Sequence, residues 1–157
     1  MERLVKEEHV TKKILEFLNK NGFLIHSYDF PQSGTGYAIR PNKDISNASH
    51  KNISIWIPDI IAYKNDFLCF FENKPIYSKS DIEKILLIKT SGLYSQKINK
   101  LLKSTKTNTT LYFLGYPSNA KIKDEGIPDH LDGEFKVDFV NNEVIPQYNN
   151  KLIINLF

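Results

Sequence analysis

The fold turns on the stretch Ile57-Pro-Asp-Ile-Ile-Ala-Tyr-Lys-Asn-Asp-Phe-Leu-Cys-Phe-Phe-Glu-Asn-Lys74. Two apolar runs flank Asn65-Asp66, and both of these residues tolerate the positive φ of a two-residue hairpin turn. In a hairpin centred there, Lys64 faces Phe67, Ile61 faces Phe70 and Asp59 faces Glu72. Opposed Cβ atoms in such a pair sit ~4.5–5.5 Å apart. Lys74 falls on the same side as Glu72 by the period of two.

Two carboxylates and an amine therefore converge at the end of strands that are otherwise apolar on both faces. Unpaired carboxylates that close repel unless a proton or cation lies between them. A hard cation such as Mg²⁺ suits the position, because it takes carboxylate oxygens and keeps several waters. A lysine beside it can position or polarise an attacking water, which is the equipment of metal-assisted phosphodiester hydrolysis. The competing reading is a surface charge cluster at a strand end, with Lys74 salt-bridged to either acid.

Outward from this segment, residues 2–21 carry Leu4, Val10, Ile14, Leu15, Phe17 and Leu18 at helical spacing, with Asn21-Gly22 as the stop. Phe23–Phe30 reads as a strand, ended by Pro31 and the loop Gln32-Ser33-Gly34-Thr35-Gly36. Residues 40–52 are polar and read as a loop. Strands follow at about 53–63 and 67–74. Ser78 and Ser80 are N-cap candidates for a helix to about residue 102, with a break at Gly92. Thr109–Gly115 is a short β-prone run. A hairpin of 135–140 with 151–156, joined by Asn-rich turns, closes the chain. Helix, three strands, helix and strand describe an α/β fold, a mixed sheet with helices packed on it.

The 157 residues are a usual size for a single domain. With 41% apolar and 25% charged residues, the chain is globular in composition rather than disordered. No apolar run reaches the ~18 residues of a membrane span. The charged N-terminus lacks the apolar segment of a signal peptide, so a cytoplasmic protein without membrane contact is expected. The single cysteine, Cys69, excludes an internal disulfide framework and a cysteine-based zinc site. Lysine supplies nearly all the positive charge, since Arg3 and Arg40 are the only arginines. Lys84, Lys89, Lys97, Lys100, Lys103 and Lys106 form a run with no intervening acid. That stripe suits a phosphate backbone as well as it suits a solvated helix face.

Pro58-Asp59, twelve residues, then Glu72-Asn73-Lys74 resembles the signature of the PD-(D/E)XK nuclease superfamily, which includes restriction endonucleases, junction resolvases and repair nucleases. The resemblance covers about residues 2–115, in the family's order of elements, and leaves 116–157 as an extension available for DNA or dimer contacts. The stretch from Gly22-Phe23 to Pro31-Gln32-Ser33-Gly34 is also similar to archaeal Holliday-junction resolvases, where a PxSG loop lies between the first two strands. The resemblance implies a restriction-endonuclease-like core in which Asp59, Glu72 and the main-chain carbonyl of Asn73 ligate Mg²⁺, or Mn²⁺ in its place. It implies that Lys74 acts on the attacking water.

Many members add a glutamate from the first helix. Glu7 shares a face with Val10 and Ile14, and Glu8 stands in reserve; an exposed first-turn glutamate serving the helix dipole is the alternative. Exonuclease-type members carry Gln-x-x-x-Tyr on the second helix. Here Tyr94 and Gln96 stand in the wrong order and spacing.

The chain carries its own control for so short a motif. Pro128-Asp129 precedes Glu134-Phe135-Lys136, too close for a strand, turn and strand, and its surroundings are polar. Gln32, Ser33 and Gly34 are candidates for approaching DNA near the scissile phosphate, against a plain glycine turn. Arg40 is the mid-chain arginine able to contact guanine bidentately. Lys97 and Lys100 are the stripe's candidates for phosphates. His9, His26, His50 and His130 show no metal-ligand spacing.

The expectation is a Mg²⁺-dependent endonuclease acting on DNA. It would work as a homodimer, because one such site cuts one strand. A small type II restriction enzyme is the first form, and a structure-specific resolvase is the second. An RNA-directed nuclease and a non-catalytic nucleic-acid-binding subunit are the remaining alternatives.

Overall fold

The computed structural model describes residues 5–30, 34–43, 55–77, 79–120, 131–148 and 156. Its elements run α1 Glu7–Lys20, β1 Leu24–Tyr28, β2 Ile60–Lys64, β3 Phe67–Asn73, α2 Lys79–Ser91, α3 Ser95–Thr105, β4 Thr109–Pro117, β5 Gly133–Asp138 and β6 Glu143–Tyr148. The six strands form one α/β mixed sheet in sequential order, β1-β2-β3-β4-β5-β6. β1, β2 and β3 are antiparallel neighbours, β3, β4 and β5 run parallel, and β6 returns antiparallel to β5. A parallel β3–β4 pair needs a long crossover, and α2 and α3 supply it.

The turn at Asn65-Asp66 sets the register. Asn65 takes φ 54, and Lys64 faces Phe67, Ile61 faces Phe70 and Ile60 faces Phe71. Period-two alternation then sorts the apolar side chains to two faces. Ile60, Ala62, Cys69, Phe71, Leu111, Phe113 and Phe135 meet Val10, Ile14 and Leu18 of α1. Ile61, Leu68, Phe70, Tyr112, Leu114 and Tyr116 meet Ile82, Ile85 and Ile88 of α2, Ile98 and Leu101 of α3, and Trp56. Both faces of the central strands are covered, so β3 is a continuous apolar run rather than an alternating one.

Several boundaries differ from the sequence reading for local reasons. α1 starts at Glu7, with Lys6 extended as its N-cap. The break expected at Gly92 is present: at φ 70 it turns the chain, so the helical stretch from residue 79 is two helices, α2 and α3. α3 runs to Thr105 and stops at Lys106, which is left-handed at φ 55. Among the described residues 55–59, where a strand was expected, Trp56 makes an isolated bridge to Ile39 and β2 begins at Ile60.

The closing hairpin lies earlier than expected. β5 turns through residues 139–142, with Asn142 at φ 57, straight into β6, and Pro146 faces Phe135 within the ladder. A proline fits there because β6 is the edge strand. Of the expected second arm, 151–156, all but Leu156 lies outside the described residues. β5 and β6 thus continue the same sheet beyond residue 116. Among the described residues no helix is long and apolar enough to cross a membrane.

Candidate active site

Three acidic side chains and a lysine meet at one end of the sheet, where β3 ends, β2 begins and α1 starts. Asp59 stands one residue before β2. Its N–H donates to Phe71 O at 3.0 Å, and its carbonyl accepts from Asp29 N–H at 2.9 Å, so the ladder pins it on both sides. Its carboxylate then accepts the Asn73 N–H at 2.7 Å. Glu72 lies in β3 and takes the Trp56 indole N–H on Oε1 at 2.5 Å. Lys74 follows β3, held by its N–H to Gly115 O at 2.8 Å. Its Nζ reaches Glu7 Oε2 of α1 at 3.7 Å. Glu7 is also in hydrogen-bonding contact with the Asp59 carboxyl.

Burial gives the cluster its electrostatic character. Asp59 and Glu72 are each 5% exposed, while Glu7 and Lys74 are half-buried. Desolvation, then the Glu72 charge, push the Asp59 carboxyl up to about 9, with Glu7 adding to the push and the Asn73 N–H opposing it. Burial likewise raises Glu72, against the pull of Lys84, the Trp56 hydrogen bond and Lys74. Burial alone would lower the Lys74 ammonium, but Glu7, Glu72, Asp81 and Asp59 outweigh it and hold it above its ordinary value. Three acids against one embedded lysine leave an excess of negative charge, which a bound proton or a bound cation relieves.

The donor set fits a hard divalent cation. Asp59 commits one oxygen to Asn73 and Glu72 one to Trp56, so each keeps a second oxygen outside these bonds. Among the described residues, no group of three or more His, Cys, Asp or Glu side chains gathers closely enough to hold a metal ion. Mg²⁺ does not need such a cage, since it is commonly held by one or two carboxylates and several waters. Asp59, Glu72 and the Asn73 carbonyl would supply protein oxygens of that kind.

The DNA-contact candidates lie elsewhere. Gln32 and Ser33 are outside the described residues, and Gly34 sits at φ 66 with no described residue within 4 Å of where a Cβ would stand. Arg40 is exposed. Its loop is bound to the α2–α3 junction through Asn42, which donates to Gly92 O at 2.9 Å and accepts from the Gln96 N–H at 2.9 Å. Lys97 lies over the Tyr37 ring at 5.2 Å, and Lys100 is exposed on α3. Among the described residues no ion pair or hydrogen bond joins Arg40, Lys97 or Lys100 to the carboxylates.

Two groups at the site were not legible as functional. Trp56 reads in sequence as packing, yet it grips Glu72; its place three residues before Asp59 was the available signal. Lys84 reads as one more lysine of the stripe, yet its charge acts on Glu72 more strongly than that of Lys74. The second Glu-x-Lys is a separate feature. Glu134 lies in β5, and Leu114 stands between it and Glu72 in the ladder. It accepts a hydrogen bond from the Tyr116 hydroxyl. Pro128 and Asp129 lie outside the described residues.

No family model, curated protein or solved structure matches the chain.

Proposed function

We propose that this chain is a Mg²⁺-dependent endonuclease that hydrolyses DNA phosphodiester bonds at the Glu7–Asp59–Glu72–Lys74 cluster. The observation that carries the reading is two buried carboxylates at one end of the hairpin, Asp59 just before β2 and Glu72 in β3, with the Lys74–Glu7 ion pair beside them. The arrangement resembles the PD-(D/E)XK nucleases, and Mn²⁺ would serve in place of Mg²⁺. When bound, the cation supplies Lewis-acid polarisation of the phosphate and neutralises charge developing on it.

The chain's own residues do the rest. Asp59, Glu72 and the Asn73 carbonyl fix the cation's place. Lys74, charged and aimed by Glu7, orients the attacking water and meets the phosphate's negative charge. The Trp56 side keeps bulk water from Glu72. Because one site cuts one strand, a homodimer is the form that breaks a duplex. A small type II restriction enzyme is the first reading of the biology. The lone buried thiol of Cys69 suits a reducing, cytoplasmic setting.

The test is plasmid DNA incubated with Mg²⁺ or Mn²⁺ and either wild type or Lys74→Ala, beside a four-way junction and a folded RNA. Discrete plasmid fragments with wild type alone support a sequence-specific endonuclease. Cleavage confined to the junction or to the RNA moves the substrate accordingly. All substrates intact with both ions would sink the nuclease reading.

A further inference from the structure

Thr11 is the one polar residue on the buried stripe of α1, between Val10, Ile14 and Leu18. It is fully buried, and so is Asn73, whose Nδ2 donates to Thr11 Oγ1 at 2.9 Å. A polar pair in an apolar layer is costly unless fully satisfied, and this one is not: Asn73 Oδ1 is buried with no hydrogen-bond partner among the described residues. Two apolar residues of similar shape would pack there at less cost. The position therefore calls for a role other than stability.

Its connections suggest that role. The Asn73 N–H holds the Asp59 carboxylate at 2.7 Å. Its two peptide bonds lead to Glu72 and Lys74. Its amide holds Thr11, which lies one turn along α1 from Glu7 and on the same face. Glu7 in turn meets Lys74 at 3.7 Å. On the far side Gly115 faces Asn73 in the β3–β4 ladder, and a side chain at Gly115 would collide with Asn73 Oδ1 and Ile14. The amide is thus clamped between α1 and β4.

We propose that Asn73, through its side-chain bond to Thr11, is a positioning residue that sets the distance of Glu7 from Asp59 and Lys74. This inference rests on the nuclease reading above. Asn73 ties all four site residues to one point: Asp59 by its N–H, Glu72 and Lys74 by the chain, and Glu7 by way of α1. Without the bond, α1 keeps its apolar seat, but its first turn is no longer indexed to the end of β3.

The experiment compares wild type with Thr11→Val, Thr11→Ser and the double variant Thr11→Val/Asn73→Leu. Two readouts are taken: plasmid cleavage, and Mn²⁺ titration followed by the fluorescence of Trp56, the only tryptophan in the chain. Thr11→Val should lower kcat about 10–100-fold with KM for DNA unchanged, and should move the Mn²⁺ midpoint upward, as lost outer-shell support does. Thr11→Ser keeps the acceptor and should restore most of both. The double variant should melt no lower than wild type while staying impaired.

Wild-type kcat and Mn²⁺ midpoint in Thr11→Val, or activity lost only in step with folded protein, would overturn the proposal. If wild type binds Mn²⁺ but cuts nothing, the nuclease reading fails. The midpoint shift in Thr11→Val then still decides the positioning role. If wild type neither binds Mn²⁺ nor cuts, both fall.

Discussion

Trp56 and Glu72 lie sixteen residues apart and share a hydrogen bond of 2.5 Å, from the indole N–H to one carboxylate oxygen, inside the protein. The indole also lies tilted against Phe70 and stacked on Tyr112, with centroids 5.1 and 6.4 Å away. The aromatic layer under the sheet thereby orients an acid of the candidate site. Trp56→Phe would keep much of the packing and leave the Glu72 oxygen unpaired. A loss of about 2–4 kcal/mol in stability is expected from the missing volume and bond together. Urea unfolding measures it, and an unchanged midpoint would show that the bond does not form.

Asp59 illustrates a site held at the expense of the fold. Its carboxyl is raised by burial and by Glu72, so the metal-free protein bears a group that would rather be neutral. Asp59→Asn keeps an acceptor for the Asn73 N–H and removes the charge. The expected outcome is a metal-free protein about 1–3 kcal/mol more stable and without nuclease activity, the pattern of a residue kept for function. Thermal melts in chelator beside plasmid assays check both halves. A less stable variant would count against the like-charge account.

Glu134 offers a pH signature away from the cluster. It is 3% exposed, and burial raises its carboxyl, against the pull of the Tyr116 hydroxyl and Lys136. In the unfolded chain a glutamate titrates near ~4.3. Between that pH and its raised folded value the folded state holds more protons. The stability this residue contributes is therefore full below ~4.3 and is lost as pH rises. In Glu134→Gln that part of the slope should vanish, so the fall in urea midpoint from about pH 5 to about pH 8 should shrink. Equal falls in wild type and variant would refute it.

Gly115 tests the closeness of α1 to β4. A methyl group there meets Asn73 Oδ1 and Ile14, both fully buried. Gly115→Ala should cost about 1–3 kcal/mol through overpacking, and should weaken Mn²⁺ binding by shifting Asn73. Calorimetry and the Trp56 titration report the two effects separately. A variant as stable as wild type would place α1 farther from the sheet than described.

The hairpin was readable because a two-residue turn at Asn65-Asp66 leaves only one register, which holds from Lys64–Phe67 to Ile60–Phe71; beyond it Asp59 bonds to Phe71 O rather than pairing squarely with Glu72. Glu7 was readable as sharing the buried face of α1, but its contact with Lys74 depends on how α1 lies across β3, which no local pattern specifies. The Thr11–Asn73 bond spans 62 residues, and the Trp56–Glu72 bond joins two residues each of which has an adequate local explanation. Side-chain pairs of this kind arise from packing and leave no spacing to detect. β6 was misplaced because Pro146 breaks a strand pattern, and only its position at the sheet's edge makes it tolerable.

That edge bears on how two copies would associate. A bulge between Ile25 and Ser27 interrupts β1 at one border of the sheet, and Pro146 removes an N–H from β6 at the other. Both are devices that discourage strands from neighbouring molecules from adding on. The two borders of the sheet formed by the described residues therefore offer poor templates for a strand of a second copy. A pairing that brings two proposed sites onto a duplex would then rest on helix and loop surfaces.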